Sequence, residues 1–245
     1  MEIKAKTDIG LIRSSNEDTY TILKKDEHNF IAFVCDGMGG HFGGAYAANK
    51  SVELLNDAFL KLDISKIKNI GVWLFETIQN INSLIYHESL SDENKKGMGT
   101  TLSGIVCIND EFHYAHIGDS RIYIYSENSI EQISTDHTYV NTLLLNGLIT
   151  FKQAAKHPKR HVLTNALGIK KNVSVDIGMI KLKEKDNILI CSDGLHNLLD
   201  DKRLLKALNQ EMNCEDKVEY LMNKALNLGG NDNITIILAE QSNGN

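Results

Sequence analysis

The most restrictive feature of this sequence is a set of short apolar runs joined by turns that only a hairpin can accommodate. Thr101 to Ile108 and Phe112 to Ile117 are separated by Asn109-Asp110-Glu111, and Tyr125 and Ile130 by Ser126-Glu127-Asn128-Ser129. Connections of this length join antiparallel neighbours, because a parallel crossover needs a dozen or more residues. Thr19 to Leu23, Phe30 to Cys35, Ile122 to Tyr125, Val173 to Ile177, Asn187 to Cys191 and Ile234 to Ala239 read as further strands. Long amphipathic stretches interrupt them. Ala48, Val52, Leu55 and Phe59 share one helical face, and Ile70, Leu74, Ile78, Ile81 and Ile85 another. Near the end, Asp200 is a predicted N-cap for a helix burying Leu204, Leu205 and Leu208, and Val218, Leu221, Met222 and Ala225 stripe the last helix. Helix pairs grouped between sets of antiparallel strands predict an α+β layered sandwich rather than an alternating βαβ fold. The segment from Tyr139 to Gly168 breaks the pattern with short helical pieces (139–146 and 151–156) around Gly147 and the only proline, Pro158. It reads as an irregular insertion, a flap on a single domain spanning 1–245.

Composition narrows the function classes. A chain of 245 residues with 42% hydrophobic residues can bury a sizeable core. Its net charge of −6, with no basic run longer than Lys95-Lys96 or Lys170-Lys171, argues against nucleic acid as the main partner. No apolar stretch approaches the ~18 residues of a membrane span, and MEIKAKTDIG lacks the apolar core of a signal peptide. The expectation is a soluble cytoplasmic protein. Cys35, Cys107, Cys191 and Cys214 lie far apart without a CxxC pair, so they are expected to be reduced and buried, in neither disulfides nor a zinc site.

Three carboxylates recur at equivalent places. Asp36 follows FIAFVC, Asp193 follows NILICS, and Asp232 precedes ITIILA. A strand end at a sheet rim holds a side chain rigidly while leaving its tip in water. Asp36 and Asp193 are each followed by Gly, which lets backbone approach closely and can offer a carbonyl oxygen to a ligand. Taken singly, each pair also fits ordinary Asp-Gly turn chemistry. Glu17-Asp18, Asp119 in GDSR and Asp136 beside His137 add further pointed carboxylates. Such groups repel one another unless cations neutralise them, and oxygen-only ligation suits Mg²⁺ or Mn²⁺ rather than Zn²⁺. Two such ions can activate a shared water and clamp the oxygens of an in-line displacement at phosphorus.

Arginine usage points to phosphate. Of 26 basic residues only Arg13, Arg121, Arg160 and Arg203 are arginines, and the first three fall in Gly/Asp/His-rich segments. Their planar fork binds phosphate bidentately in a way lysine cannot. A structural ion pair is the competing reading, and it is the better one for Arg121 and Arg160.

With these residues in view the sequence resembles the PPM (type 2C) family of metal-dependent Ser/Thr protein phosphatases, in particular its single-domain bacterial members. The matching segments run in family order: RSSNED (13–18), DGMGGH (36–41), GTT (99–101), GDSR (118–121), DH (136–137), HPKRHVLTNALG (157–168), SDGL (192–195) and NDNIT (231–235). The resemblance implies a four-layer α/β/β/α sandwich, two antiparallel sheets flanked by helix pairs, with 139–168 as its flap. It implies Asp36 as a ligand bridging two metal ions, with the Gly37 carbonyl completing the second site and Glu17 reaching it through water. Asp193 and Asp232 would hold the first ion. Asp119, with Asp193, matches a third, weaker metal site, and Arg13 the residue that binds substrate phosphate. Asp18, Thr100 and Asn233 match residues that orient ligands and bound waters.

The chain departs from the family at three positions. Met38 stands where animal members carry a histidine proposed as general acid, which leaves His41 and a metal-bound water as acid candidates. Ala45 replaces a usual Glu, and Asn165 a usual Arg, so altered flap or helix contacts are expected. The implied activity is hydrolysis of phosphoserine and phosphothreonine in proteins by a metal-activated water at a binuclear Mn²⁺ or Mg²⁺ centre. The implied partners are phosphorylated proteins and a cognate Ser/Thr kinase, acted on by a monomer. Two other classes compete: a non-catalytic or dedicated regulatory relative that binds phosphoproteins, and an unrelated two-metal nuclease or small-molecule phosphatase.

Overall fold

The computed structural model describes residues 1–39 and 43–241. In chain order its strands are β1 (Glu2–Asp8), β2 (Asp18–Lys24), β3 (Phe30–Met38), β4 (Gly99–Thr100), β5 (Leu102–Ile108), β6 (Glu111–Ile117), β7 (Arg121–Ser126), β8 (Ser129–Gln132), β9 (Asp176–Ile180), β10 (Asn187–Cys191) and β11 (Ile234–Glu240). Its helices are α1 (Gly43–Lys61), α2 (Ile70–Ser91), α3 (Tyr139–Leu145), α4 (Phe151–Ala154), α5 (Asp193–His196), α6 (Asp201–Leu208) and α7 (Cys214–Asn227).

The predicted hairpins set the pairing. Asn109 and Asp110 both take positive φ, 50° and 63°, the conformation of a two-residue turn whose twist matches its strands, and Ile108 faces Glu111 across it. One sheet runs β1-β11-β10-β7-β8 and the other β2-β3-β5-β6-β9, with β4 beside β3. Every pairing is antiparallel. Three apolar layers bind the fold. Phe30, Ile105, Ile122, Ile188 and Ile237 fill the space between the sheets. Leu55, Phe59, Leu74, Ile78 and Ile85 of α1 and α2 cover the outer face of one sheet, and Leu204, Val218, Leu221 and Met222 of α6 and α7 that of the other. The order of layers is therefore helix, sheet, sheet, helix. Asp200 caps α6 by accepting the Arg203 amide. All four cysteines are free and buried, and no helix among the described residues is long and apolar enough to cross a membrane.

Two elements differ from expectation. The strand expected over 173–177 begins at Asp176 instead. Gln79 Nε2 donates to Val173 O and Asn165 Nδ2 to Ser174 O, so side-chain amides satisfy carbonyls that a ladder would have used. Val173 meanwhile packs into the core under α1 and α2. The N-terminal β1 is an edge strand whose lysines, Lys4 and Lys6, ion-pair with Glu215 and Glu219 of α7.

Candidate active site

Register brings distant carboxylates to one rim. Cys191 of β10 pairs with both Ile236 of β11 and Arg121 of β7. Asp193 just past β10, Asp232 just before β11 and Asp119 just before β7 therefore leave the same end of one sheet. Asp36, near the end of β3, reaches that rim from the other sheet, opposite Asp18. The loop after β1 crosses it with Arg13 and Glu17, because Asp8 pairs with Ile234. Together Arg13, Glu17, Asp36, Gly37, Asp119, Asp193, Asp232 and Asn233 line one cleft of about 490 Å³.

Glycines make the approach possible. A Cβ on Gly37 would stand 2.3 Å from Gly44 O, and one on Gly194 would stand 2.0 Å from Asn233 O. Hydroxyls and amides then fix the carboxylates. Thr101 Oγ1 accepts from Asp36 N at 2.9 Å and Thr100 Oγ1 donates to Asp36 O at 3.0 Å. Asn233 Oδ1 accepts from Glu17 N, and its Nδ2 donates to the carbonyls of Ile9 and Ser15, which holds the Arg13 loop over the rim. Asn233 N also donates to Asp232 Oδ1. Ser192 Oγ donates to Asp18 Oδ2 at 2.7 Å, while Oδ1 of Asp18 is a buried side-chain atom with no hydrogen bond among the described residues.

The electrostatics are those of crowded, poorly neutralised anions. The dense protein around Asp36, and then Asp18 and Asp193 beside it, raise its carboxyl well above the usual range. Burial, then Asp119 and Asp232, raise Asp193 likewise. Burial and then Asp136 push Asp119 to about 7, and burial pushes Asp18 to about 6. Arg13 lines the same cleft and its Nη2 donates to Asp232 Oδ2 at 2.8 Å, while the Arg121 charge partly offsets the rise at Asp119.

This donor set of carboxylates, with the Gly37 backbone at the cleft and a buried Asp18 oxygen that has no hydrogen bond among the described residues, fits hard divalent cations. Among the described residues no three His, Cys, Asp or Glu side chains already close into a cage.

The structure gathers Arg13, Glu17, Asp36, Gly37, Asp119, Asp193, Asp232, Asp18, Thr100 and Asn233 around one cleft, whereas His41 lies outside the described residues. Arg121 is held away from it, bidentate on Asp136 with Nη2 at 2.7 Å from Oδ2. Sequence reasoning missed three residues at the site. His161 lines the cleft with Nδ1 3.9 Å from Asp193 Oδ2, Asn197 donates to Asp193 Oδ2, and His196 donates from Nε2 to Asp119 O. His161 belongs to the quoted HPKRHVLTNALG segment, which was its available signal. His196 and Asn197 follow SDGL directly.

Known proteins resemble this chain over nearly its whole length. A family model described as protein phosphatase 2C matches residues 13–228. A serine/threonine phosphatase stp of Listeria monocytogenes serotype 4b is 35% identical over 242 residues, covering 98% of this chain and 96% of that protein. The solved structure of the serine/threonine phosphatase Stp1 from Staphylococcus aureus superposes with a TM-score of 0.93 at 35% identity, covering 98% of this chain and 95% of that one. The catalytic domain of the phosphatase PstP, solved in complex with two manganese ions, superposes with a TM-score of 0.83 at 29% identity, covering 98% and 97%.

Proposed function

The chain belongs to the protein phosphatase 2C family and is a protein-serine/threonine phosphatase; from that premise we propose that it works at a binuclear Mn²⁺ or Mg²⁺ centre and reverses a Ser/Thr kinase. The observation that carries this reading is the convergence of Asp36 from one sheet with Asp119, Asp193 and Asp232 from the other in a single cleft. Asp36 would bridge two ions, with Asp193 and Asp232 holding one, and with the Gly37 carbonyl and, through water, Glu17 holding the other. Asp119 and Asp193 would hold a third, weaker ion. When bound, the ions supply Lewis acidity that lowers the pKa of water and offsets charge developing at phosphorus.

The chain's own residues bind and orient. Arg13 sits at the mouth with its guanidinium half exposed, so a phosphoryl group can compete with Asp232 for its fork. Thr100 and Thr101 lock the Asp36 peptide, and Asn233 locks Asp232 and the loop bearing Arg13 and Glu17, which preorganises the anionic rim. Met38 lines the cleft and carries no transferable proton, so the leaving serine or threonine oxygen must take its proton from another donor. The partners are phosphorylated proteins presented to a monomeric enzyme in the cytoplasm, together with their kinase.

The test uses p-nitrophenyl phosphate and a phosphothreonine peptide, each with Mn²⁺ and with excess EDTA. Turnover of both with Mn²⁺ and loss of both in EDTA is expected. Full turnover in EDTA contradicts the metal centre, and turnover of the small ester alone contradicts the protein substrate.

A further inference from the structure

Of the Asp136-His137 pair, the aspartate is taken up by Arg121, while the His137 ring stands where three segments meet. His137 N donates to Gly118 O at 2.7 Å, and Gly118 N returns a hydrogen bond to His137 Nδ1 at 3.1 Å. Gly118 directly precedes Asp119 and holds φ at 103°, a conformation that needs glycine. The flap's C-terminal leg joins the same residue. Thr164 N donates to His137 O at 2.8 Å, and Asn165 Nδ2 lies 3.3 Å from His137 Nδ1 while also donating to Ser174 O. Nε2 faces Asp176 Oδ2 at 3.1 Å, at the start of β9.

A backbone amide only donates, so Nδ1 carries no hydrogen and Nε2 carries it. The ring also packs at a 42° tilt with its centroid 4.8 Å from that of His116, itself tied to Ser103 and the Thr135 carbonyl. Ring position and tautomer are thus set from every side. We propose that His137 is a positioning residue whose Nδ1 lone pair holds the Gly118 peptide, and through it Asp119, in register with the root of the flap. This rests on the proposed catalytic part of Asp119. The contact from Asn165 ties the flap side of the clasp to the same ring nitrogen.

The substitutions that test it separate the two ring nitrogens. In His137→Asn the amide oxygen takes the place of Nδ1, whereas in His137→Gln the amide reaches toward Asp176 and leaves Gly118 N–H without its acceptor. Two readouts are taken: exchange of the Gly118 amide by NMR, and kcat and KM on a phosphothreonine peptide with saturating Mn²⁺, in both the wild-type and Asp119→Ala backgrounds. His137→Gln is expected to lose Gly118 protection and ~10-fold in kcat, with KM within about twofold, as for other residues that orient a ligand. His137→Asn is expected to retain both. In the Asp119→Ala background His137→Gln should cost less than about twofold more, because the two act through one loop. Equal behaviour of the Asn and Gln variants, or losses that multiply with Asp119→Ala, overturns the proposal. If Asp119→Ala alone leaves kcat unchanged, the catalytic part of Asp119 fails, and Gly118 exchange still decides whether His137 holds the loop.

Discussion

Arg13 shows how one side chain divides between structure and chemistry. Its fork pairs with Asp232 at the cleft mouth, and Asp232 hydrogen bonding first, then its charge and that of Asp193 and Asp36, favour the charged guanidinium, against the opposing effect of burial. Arg13→Lys keeps the charge and loses the bidentate geometry, so KM for a phosphopeptide should rise ~10-fold with Tm nearly unchanged. Steady-state kinetics and a thermal melt check both halves, and an unchanged KM removes Arg13 from phosphate binding. The acidic residues were legible in the sequence because each stands beside an apolar run that ends at a glycine or begins at an asparagine. His161 had only the quoted HPKRHVLTNALG segment to signal it, and His196 nothing beyond its place after SDGL, because neither histidine stands in a periodic pattern that says which face it takes. Thr101 was quoted in GTT, yet only the structure shows its hydroxyl accepting from the Asp36 amide.

Among the elements, α1 is the one whose packing most directly shapes the site. Its second residue, Gly44, lies so close to β3 that a Cβ would stand 2.0 Å from Glu17 Oε2 and 2.8 Å from the Gly37 carbonyl carbon. Gly44→Ala should therefore overpack the junction, costing about 1–3 kcal/mol, and displace Glu17 from its place beside Gly37. For a domain of this size that is a fall in Tm of about 2–4 °C per kcal/mol. A melt within 1 °C of wild type would show that the junction yields freely. Strands with continuous apolar runs, such as β3 and β10, were readable because both their faces are buried. Edge strand β1 was not, since its alternate lysines look like a solvated segment until Glu215 and Glu219 of α7 are seen beside them. The displaced start of β9 has a related cause: backbone partners supplied by Gln79 and Asn165 leave no trace in local periodicity.

At the scale of the whole molecule, the fold stacks two sheets so that carboxylates from both meet at one rim. Asp36, Asp119 and Asp193 are held there with raised affinity for protons, a cost that divalent cations would relieve. Ions that bind the folded chain in preference to the unfolded one add stability by mass action, about 2.7 kcal/mol at a hundredfold excess over Kd. The proposed metal centre can thus be tested without turnover. The most direct measurement is a calorimetric titration of Mn²⁺ into the wild-type protein, Asp119→Ala and Asp36→Asn, each shown to be folded by circular dichroism. The account predicts that wild type and Asp119→Ala both bind two ions tightly, with turnover of Asp119→Ala reduced by ~10²-fold, and that Asp36→Asn binds neither ion and is inactive. Two tightly bound ions in folded Asp36→Asn would contradict it.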